Sequence, residues 1–201
     1  MKKIGIVILV VTMMLVGCQS KTEESNIKDE TSAEIAEDNT TDSSNDEIGN
    51  DNINEKNPVA GQVLKDISTT DIEGNIIDET IFNGHKITVL NLWATWCGPC
   101  VEEMPEFEEV SKTYKTEDVQ FLGLIIDSED DEVKDLLKQL GITYPQIKSD
   151  EKLKKQIVNH FDYVPVTLFI DENGKILEKF VPGGTTKEAL EKMLDGMLSE
   201  K

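Results

Sequence analysis

The stretch NLWATWCGPCVEEMP, from Asn91 to Pro105, decides how the rest of this 201-residue chain is interpreted. Two cysteines, Cys97 and Cys100, are separated by Gly-Pro and follow an apolar run. A short apolar run of this kind is typical of a buried strand, and the Gly-Pro pair followed by helical periodicity indicates the start of a helix. The two thiols are therefore predicted to lie at a junction between a strand and a helix.

This spacing suits thiol-disulfide exchange. If Cys97 caps the helix, its sulfur faces the unpaired N–H groups and the positive dipole end of the first turn, which favour the thiolate. We predict Cys97 as the attacking nucleophile and Cys100, one turn further and more buried, as the resolving thiol. Gly98 would permit close approach of a substrate chain, and Pro99 suits a first turn in which its missing donor is not needed.

Other uses of a Cys-x-x-Cys pair are less well supported. A zinc site needs two further ligands, and His85 and His160 have no ligand-like spacing. Haem attachment needs a histidine directly after the second cysteine, where this chain has Val101. A purely structural disulfide would close a very small loop and constrain little of the unfolded chain. We therefore predict no metal and no cofactor beyond a redox-active Cys97–Cys100 disulfide.

Hydrophobic periodicity predicts an α/β domain. Alternating strands and helices imply a parallel core, Asn173-Gly174 predicts a final hairpin, and Pro105 is predicted to kink the first helix. Strands are predicted over 76–81, 88–93, 119–126, 164–170 and 175–181, and helices over 97–115, 131–140, 150–160 and 187–198.

The motif WATWCGPC, from Trp93 to Cys100, resembles the active site of the thioredoxin superfamily. The Glu103-Met104-Pro105 that follows is similar to the extracytoplasmic TlpA/ResA-type thiol-disulfide oxidoreductases, and the resemblance spans residues 59–198. It implies a thioredoxin-like fold over residues 58–201, in which a central mixed sheet is flanked by helices and preceded by an N-terminal β-hairpin extension. It also implies a monomer that acts on exported protein disulfides.

Further site residues follow from the same resemblance. Val164-Pro165 resembles the loop with a cis-proline that faces the two cysteines, where the backbone of Val164 could pair with a substrate peptide. Trp96 is predicted to form a partly exposed wall beside Cys97 that contacts substrates. The predicted substrate-binding residues are therefore Trp96, Gly98, Pro99, Val164 and Pro165.

Glu103 is the candidate for handling the proton of the reaction. Cytoplasmic thioredoxins have a buried aspartate where this chain has Asn91, and an amide cannot exchange a proton. TlpA/ResA-type proteins have a glutamate at the position of Glu103, one helical turn after Cys100, where it could act as a base. The alternative is a solvated helix glutamate, as expected for Glu102 and Glu106.

The N-terminus predicts export and lipidation. Met1-Lys2-Lys3 precedes an apolar run that is too short for a permanent membrane helix, which is typical of a signal peptide. Leu15-Val16-Gly17-Cys18 resembles the lipobox of bacterial lipoproteins, so residues 1–17 would be removed and Cys18 diacylated. A plain signal peptide with an incidental cysteine is the alternative.

Composition and charge constrain the remaining residues. Residues 18–57 are polar, acidic and free of aromatic side chains, which predicts a disordered tether. The whole chain has a formal charge of −20, from 20 basic and 40 acidic residues, and contains no arginine. Such a surface disfavours binding to nucleic acid or direct adhesion to anionic lipids.

Together these features predict a lipid-anchored protein on the extracytoplasmic side of the cell membrane that reduces protein disulfides. Gly-Pro is the dipeptide of reductive thioredoxins, and the family suggests a CcdA-like membrane protein as the electron donor. Substrates could include apocytochrome c or a surface methionine sulfoxide reductase. Three different functions stay open: a disulfide-forming oxidase, a peroxide-reducing redoxin, and a non-enzymatic lipoprotein that binds partners through the Pro165 groove.

Overall fold

The computed structural model describes residues 55–199. The predicted signal peptide, the Cys18 lipidation site and most of the predicted tether lie outside the described residues. Asn57, predicted as the end of the tether, is buried, and its Nδ2 donates to the Leu177 carbonyl oxygen at 2.9 Å. Within the described part of the chain, no helix is both long enough and apolar enough to cross a bilayer.

A five-stranded mixed sheet forms the centre of this part of the protein. Its strands are β3, Ile87–Trp93; β4, Val119–Ile125; β5, Gln146–Lys148; β6, Val166–Asp171; and β7, Ile176–Pro182, and they lie in the order β5-β4-β3-β6-β7. Strand β3 pairs in parallel with β4, which pairs in parallel with β5, whereas β6 is antiparallel to both β3 and β7.

Strand β3 lies in the middle of the sheet because nearly all of its side chains are apolar. All seven of its residues are buried, as expected for a strand covered on both faces. Its two polar residues are Thr88 and Asn91, and the Cα of Asn91 pairs with Gly123 on one side and Thr167 on the other. Cys97 and Cys100 follow shortly after this strand, so the central strand of the sheet positions them.

Helices cover both faces of the sheet. They are α1, Gly98–Tyr114; α2, Asp130–Leu140; α3, Glu151–Gln156; and α4, Lys187–Ser199. Apolar side chains of α1, α2 and α4 pack in one cluster with Trp93, while Leu153 of α3 and the segment around Phe82 pack in a second cluster. The two clusters account for the two-sided burial of β3.

The N-terminal hairpin is shorter than predicted. Strands β1, Thr69–Thr70, and β2, Ile76–Ile77, pair antiparallel. The predicted strand over 76–81 stops at Ile77 because Asp78 Oδ1 accepts a hydrogen bond from Thr80 N at 2.9 Å and so caps a 3-10 turn, Glu79–Phe82. The hairpin itself is present, as the resemblance implied.

Two other elements differ from the prediction. The helix predicted over 150–160 ends at Gln156 because Ile157 leaves the helical region (φ −128°, ψ −68°), and a separate 3-10 turn, Val158–His160, follows. Strand β5 was not predicted, since its three residues are too few to give a periodic signal. Helix α1 continues through Pro105 as far as Tyr114.

Candidate active site

Cys97 caps helix α1, as predicted from the sequence. Its backbone is extended (φ −88°, ψ 99°), and its Sγ accepts a hydrogen bond from Cys100 N at 3.3 Å. Pro99 lies in the first turn, where no intrahelical acceptor exists for an N–H. The sulfur of Cys97 therefore faces the end of the helix at which negative charge is favoured.

Cys97 and Cys100 are joined by a disulfide, with their Cα atoms 5.3 Å apart. Cys100 is fully buried, whereas 5% of Cys97 is exposed. Gly98 is exposed, and no neighbouring atom lies within 4 Å of the position that a Cβ would take on it. An approaching chain can therefore reach Cys97 past Gly98, but it cannot reach Cys100.

The loop between β3 and α1 is held by the loop that follows β4. Thr95 N donates to Ser128 Oγ at 2.9 Å, and Trp96 Nε1 donates to the Asp127 carbonyl oxygen at 3.0 Å. The Trp96 side chain still remains 64% exposed, and its contact with substrates stays a prediction. Asp127 and Ser128 were not predicted as its supports, although the carboxyl ends of neighbouring parallel strands meet at one edge of a sheet.

Val164 and Pro165 lie at the edge of the sheet from which the cysteine loop leaves. The peptide bond between them is cis, as the resemblance implied. The next residue, Val166, pairs with Leu92, which places Pro165 next to the end of β3 from which the cysteine loop leaves. Val164 packs against the same apolar cluster that contains both cysteines.

Glu103 is buried, in contrast to its exposed neighbours Glu102 and Glu106. Only 6% of its surface is accessible. Burial raises the pKa of Glu103 to about 7, although hydrogen bonds from Thr185 N and from Asn91 oppose this shift. A carboxyl with this pKa exchanges protons close to neutral pH, which a solvated helix glutamate would not do.

Two residues distant in sequence hold the Glu103 carboxyl. Asn91 Nδ2 donates to Oε1 at 2.9 Å, and Thr185 N donates to Oε2 at 3.0 Å. Sequence reasoning missed both contacts. A buried polar side chain in an apolar strand was the available signal for Asn91, since buried polar groups almost always have hydrogen-bond partners.

Comparison with known proteins agrees with this geometry. The family model described as Redoxin matches residues 59–194. The chain belongs to the Redoxin family. This Redoxin protein is 33% identical over 142 residues to the thiol-disulfide oxidoreductase ResA of Bacillus thuringiensis subsp. konkukian, covering 70% of this chain and 79% of the relative. It is 32% identical over 146 residues to ResA of Geobacillus thermodenitrificans, covering 71% and 81%.

Solved structures agree on the fold. A thioredoxin-family thiol:disulfide interchange protein from Chlorobium tepidum has a TM-score of 0.61 at 23% identity, covering 69% of this chain and 97% of that one. StoA from Bacillus subtilis has a TM-score of 0.54 at 26% identity, covering 68% and 99%. The predicted thioredoxin-like α/β fold is confirmed, and the protein is a ResA-like thiol-disulfide oxidoreductase.

Helices α1 and α4 of this Redoxin protein are joined by further glutamates of α1. Glu106 Oε2 accepts from Lys187 N at 2.5 Å, and Glu109 Oε2 lies 2.8 Å from Lys187 Nζ. Together with the Glu103 contact to Thr185, these bonds attach the start of α4 along successive turns of α1. Within residues 55–199, no cluster of three His, Cys, Asp or Glu side chains is arranged to hold a metal ion.

Proposed function

We propose that this protein is a protein disulfide reductase that is held on the extracytoplasmic face of the cell membrane by a lipid on Cys18. The observation that supports the proposal best is the combination at the start of α1. A cysteine that is 5% exposed caps the helix, a fully buried partner follows it, and a buried glutamate with a pKa near neutrality lies one turn further.

The first half of the proposed reaction takes place at Cys97. Its thiolate, favoured by the helix N-terminus, attacks one sulfur of a substrate disulfide. The substrate S–S bond breaks, a mixed disulfide forms with Cys97, and the other substrate sulfur leaves as a thiolate that takes up a proton from solvent. Cys100 cannot perform this step, because it is fully buried.

The second half needs the proton of Cys100. Glu103 accepts that proton, and the Cys100 thiolate attacks the Cys97 sulfur of the mixed disulfide. The second substrate sulfur leaves with its bonding electrons, so the substrate gains two electrons and the Cys97–Cys100 pair loses them. A membrane dithiol donor, for which the family suggests a CcdA-like protein, then returns the pair to the reduced state.

Substrate docking is assigned to the surface around the accessible cysteine. Trp96 offers a large exposed aromatic face, and Gly98 and Pro99 leave the approach to Cys97 unobstructed. Val164 and Pro165 precede β6 at the same edge, where an extended substrate segment could pair as an added strand. The substrates in this proposal are exported proteins with exposed disulfides, such as apocytochrome c or a methionine sulfoxide reductase.

Membrane attachment is supported by the N-terminal sequence, in which Cys18 follows a lipobox-like segment. A Cys18→Ser variant is expected to move from the membrane fraction to the soluble fraction and to lose labelling by a radioactive fatty acid. A Ser20→Ala variant is a matched control that should remain in the membrane. Equal membrane retention of the Cys18→Ser variant and the parent would contradict lipid anchoring.

The reduction potential of the Cys97–Cys100 pair tests the direction of electron flow. We expect a value around −270 mV or lower for the full-length Cys18→Ser chain equilibrated with thiol-disulfide buffers, as in thioredoxin. A value near −120 mV, as in a strongly oxidising member of the superfamily, would instead show that the protein inserts disulfides.

Peroxide reduction and non-enzymatic binding have separate tests. A peroxide-reducing redoxin has a Thr-x-x-Cys setting, whereas Thr95 stands two residues before Cys97 and its hydroxyl donates to Glu132 at 3.3 Å. Rapid peroxide consumption by the reduced chain in stopped flow would favour peroxide reduction. A binding lipoprotein would keep its biological activity in a Cys97→Ala variant, and we expect that activity to be lost.

A further inference from the structure

We propose that Asn91 is a positioning residue for Glu103, and that its side-chain amide binds both protonation states of the carboxyl. Nδ2 would donate to the carboxylate, and after a half-turn of the amide Oδ1 would accept from the carboxylic acid. This inference rests on the proposed role of Glu103 as the group that accepts the Cys100 proton.

The geometry fixes Asn91 against Glu103. Asn91 is 1% exposed and lies in the middle of β3, so its backbone cannot shift without breaking pairs with both neighbouring strands. Its Nδ2 lies 2.9 Å from Glu103 Oε1 and 3.5 Å from Thr167 Oγ1. The amide therefore has one strong acceptor, which is the carboxyl group.

The other half of the amide has no partner. Asn91 Oδ1 is buried and accepts no hydrogen bond. Leaving a buried acceptor unpaired is unfavourable, and such an atom calls for an explanation. The carboxylate explains the unpaired Oδ1. A carboxylate has acceptors and no donor, so only the NH₂ end of the amide can face it and Oδ1 must point away.

Protonation of Glu103 reverses this requirement. A carboxylic acid has one O–H donor, and that donor needs an acceptor in a buried site. Rotating the planar amide by a half-turn exchanges Nδ2 and Oδ1, so that Oδ1 faces the acid. Asn91 Oδ1, which is unpaired beside the carboxylate, is thus the hydrogen-bond acceptor that the carboxylic acid needs.

Thr185 determines which carboxyl oxygen takes the proton. Its backbone N–H donates to Oε2 at 3.0 Å and can never accept, so Oε2 is favoured as an acceptor in both states. The position that a Cβ would take on Gly184 lies 3.6 Å from the same oxygen, so the loop packs closely against it. The proton is therefore directed to Oε1, the oxygen that faces Asn91.

The remaining groups around Glu103 do not replace this pairing. Glu106, on the same helix, acts on Glu103 as a like charge, and Tyr144 is coupled to it electrostatically from the segment before β5. Thr167 from β6 and Thr185 from the loop before α4 carry no charge. In the proposed step the proton leaves Cys100 Sγ and ends on Glu103 Oε1, while Asn91 transfers no proton.

The test measures the resolving step against pH. The reduced full-length Cys18→Ser chain reacts with Ellman's reagent, which forms a mixed disulfide on Cys97, and stopped flow follows release of the second thionitrobenzoate by Cys100. The variants are Asn91→Leu, which removes both ends of the amide, and Asn91→Asp, which adds a second carboxyl. Thr167→Val is the matched control, because it removes a buried hydroxyl beside Asn91 and leaves the Glu103 bonds in place.

For Asn91→Leu we expect the pH midpoint to rise by about half to one pH unit, because the lost bond to the carboxylate is stronger than the lost bond to the acid. Asn91→Asp should show two midpoints, since two carboxyls in contact share one proton. Thr167→Val should keep the parental midpoint. An unchanged midpoint in Asn91→Leu would overturn the proposal, and a rise of about two units or more would show that the amide serves the carboxylate alone.

Glu103→Gln separates failure of this inference from failure of the proposed function. If Glu103→Gln keeps the parental midpoint, Glu103 does not accept the proton and the proposed mechanism is wrong. If that midpoint disappears while Asn91→Leu keeps it, only the role of Asn91 is wrong.

A spectroscopic measurement on the unmodified side chains covers the case in which Asn91→Leu fails to fold. In the oxidised parent, the side-chain amide ¹⁵N signal of Asn91 should titrate with the same midpoint as the Glu103 carboxyl carbon. An Asn91 signal that stays constant across that midpoint would overturn the proposal.

Discussion

Glu103→Gln is expected to abolish a specific pH dependence of stability in the oxidised protein. Burial raises the pKa of Glu103 from 4.5 to about 7 in the folded chain. Between these two pH values the folded state therefore holds a proton that the unfolded state has lost. Stability must then fall as the pH rises through this window, because the folded state binds more protons.

The size of the effect follows from the same shift. At a free-energy change of about 1.4 kcal/mol per pKa unit, Glu103 should make the parent about 2.5 kcal/mol less stable at about pH 8 than at about pH 5. Glu103→Gln has no ionisable group at this position and should lack this loss. The glutamine would also change the hydrogen bonds made with Asn91 and Thr185, so we predict the change in pH dependence and not the absolute stability.

Urea unfolding of the oxidised full-length chain at the two pH values measures the difference. Glu102→Gln is the matched control, because Glu102 lies on the same helix but is exposed, and it should keep the parental pH dependence. The comparison is the fall in the free energy of unfolding between the two pH values. If this fall in Glu103→Gln is within about 1 kcal/mol of the fall in the parent, the burial argument is refuted.

Three further substitutions test the surroundings of the site. Gly123→Ala should lower the free energy of unfolding by about 1–3 kcal/mol, because its Cβ would overlap Gln146 Oε1 and disrupt the bond from Trp93 Nε1; urea titration measures this. Trp96→Ala should lower kcat/KM for a protein disulfide about tenfold while reduction by dithiothreitol stays unchanged, which insulin-reduction and direct thiol assays distinguish. Glu108→Ala should cost about 2 kcal/mol by urea titration, because the backbone N–H groups of Thr143 and Tyr144, before β5, would lose their acceptor.

The sequence predicted those strands of the sheet whose residues are buried continuously on both faces. Strands β3 and β4 are apolar runs with both faces covered, so their pattern alone identifies them. Strand β5 could not be identified in this way. Its buried polar residue, Gln146, is held by a hydrogen bond from Trp93 Nε1 at 2.8 Å, and no local pattern predicts a partner 53 residues away.

The candidate site shows the same limit. The spacing of Cys97 and Cys100 within a strand-to-helix junction predicted the helix cap, since capping depends on neighbours in sequence. Burial of Glu103 depends on the convergence of Asn91 and Thr185, which are 12 and 82 residues away in the chain. Helical periodicity therefore could not distinguish Glu103 from Glu102, and only the resemblance to a family selected it.

The bond between Thr185 N and Glu103 also has a consequence for the order of events during synthesis. Glu103 is made 82 residues before Thr185, whose amide orients the carboxyl, and the two cysteines are made slightly earlier still. At about 5–20 residues per second, this delay is on the order of ten seconds. A growing chain therefore carries both reactive thiols before the Glu103 carboxyl, which receives the Cys100 proton, is held in place. The nascent protein should be slow to complete thiol-disulfide exchange with neighbouring proteins until the loop before α4 has docked.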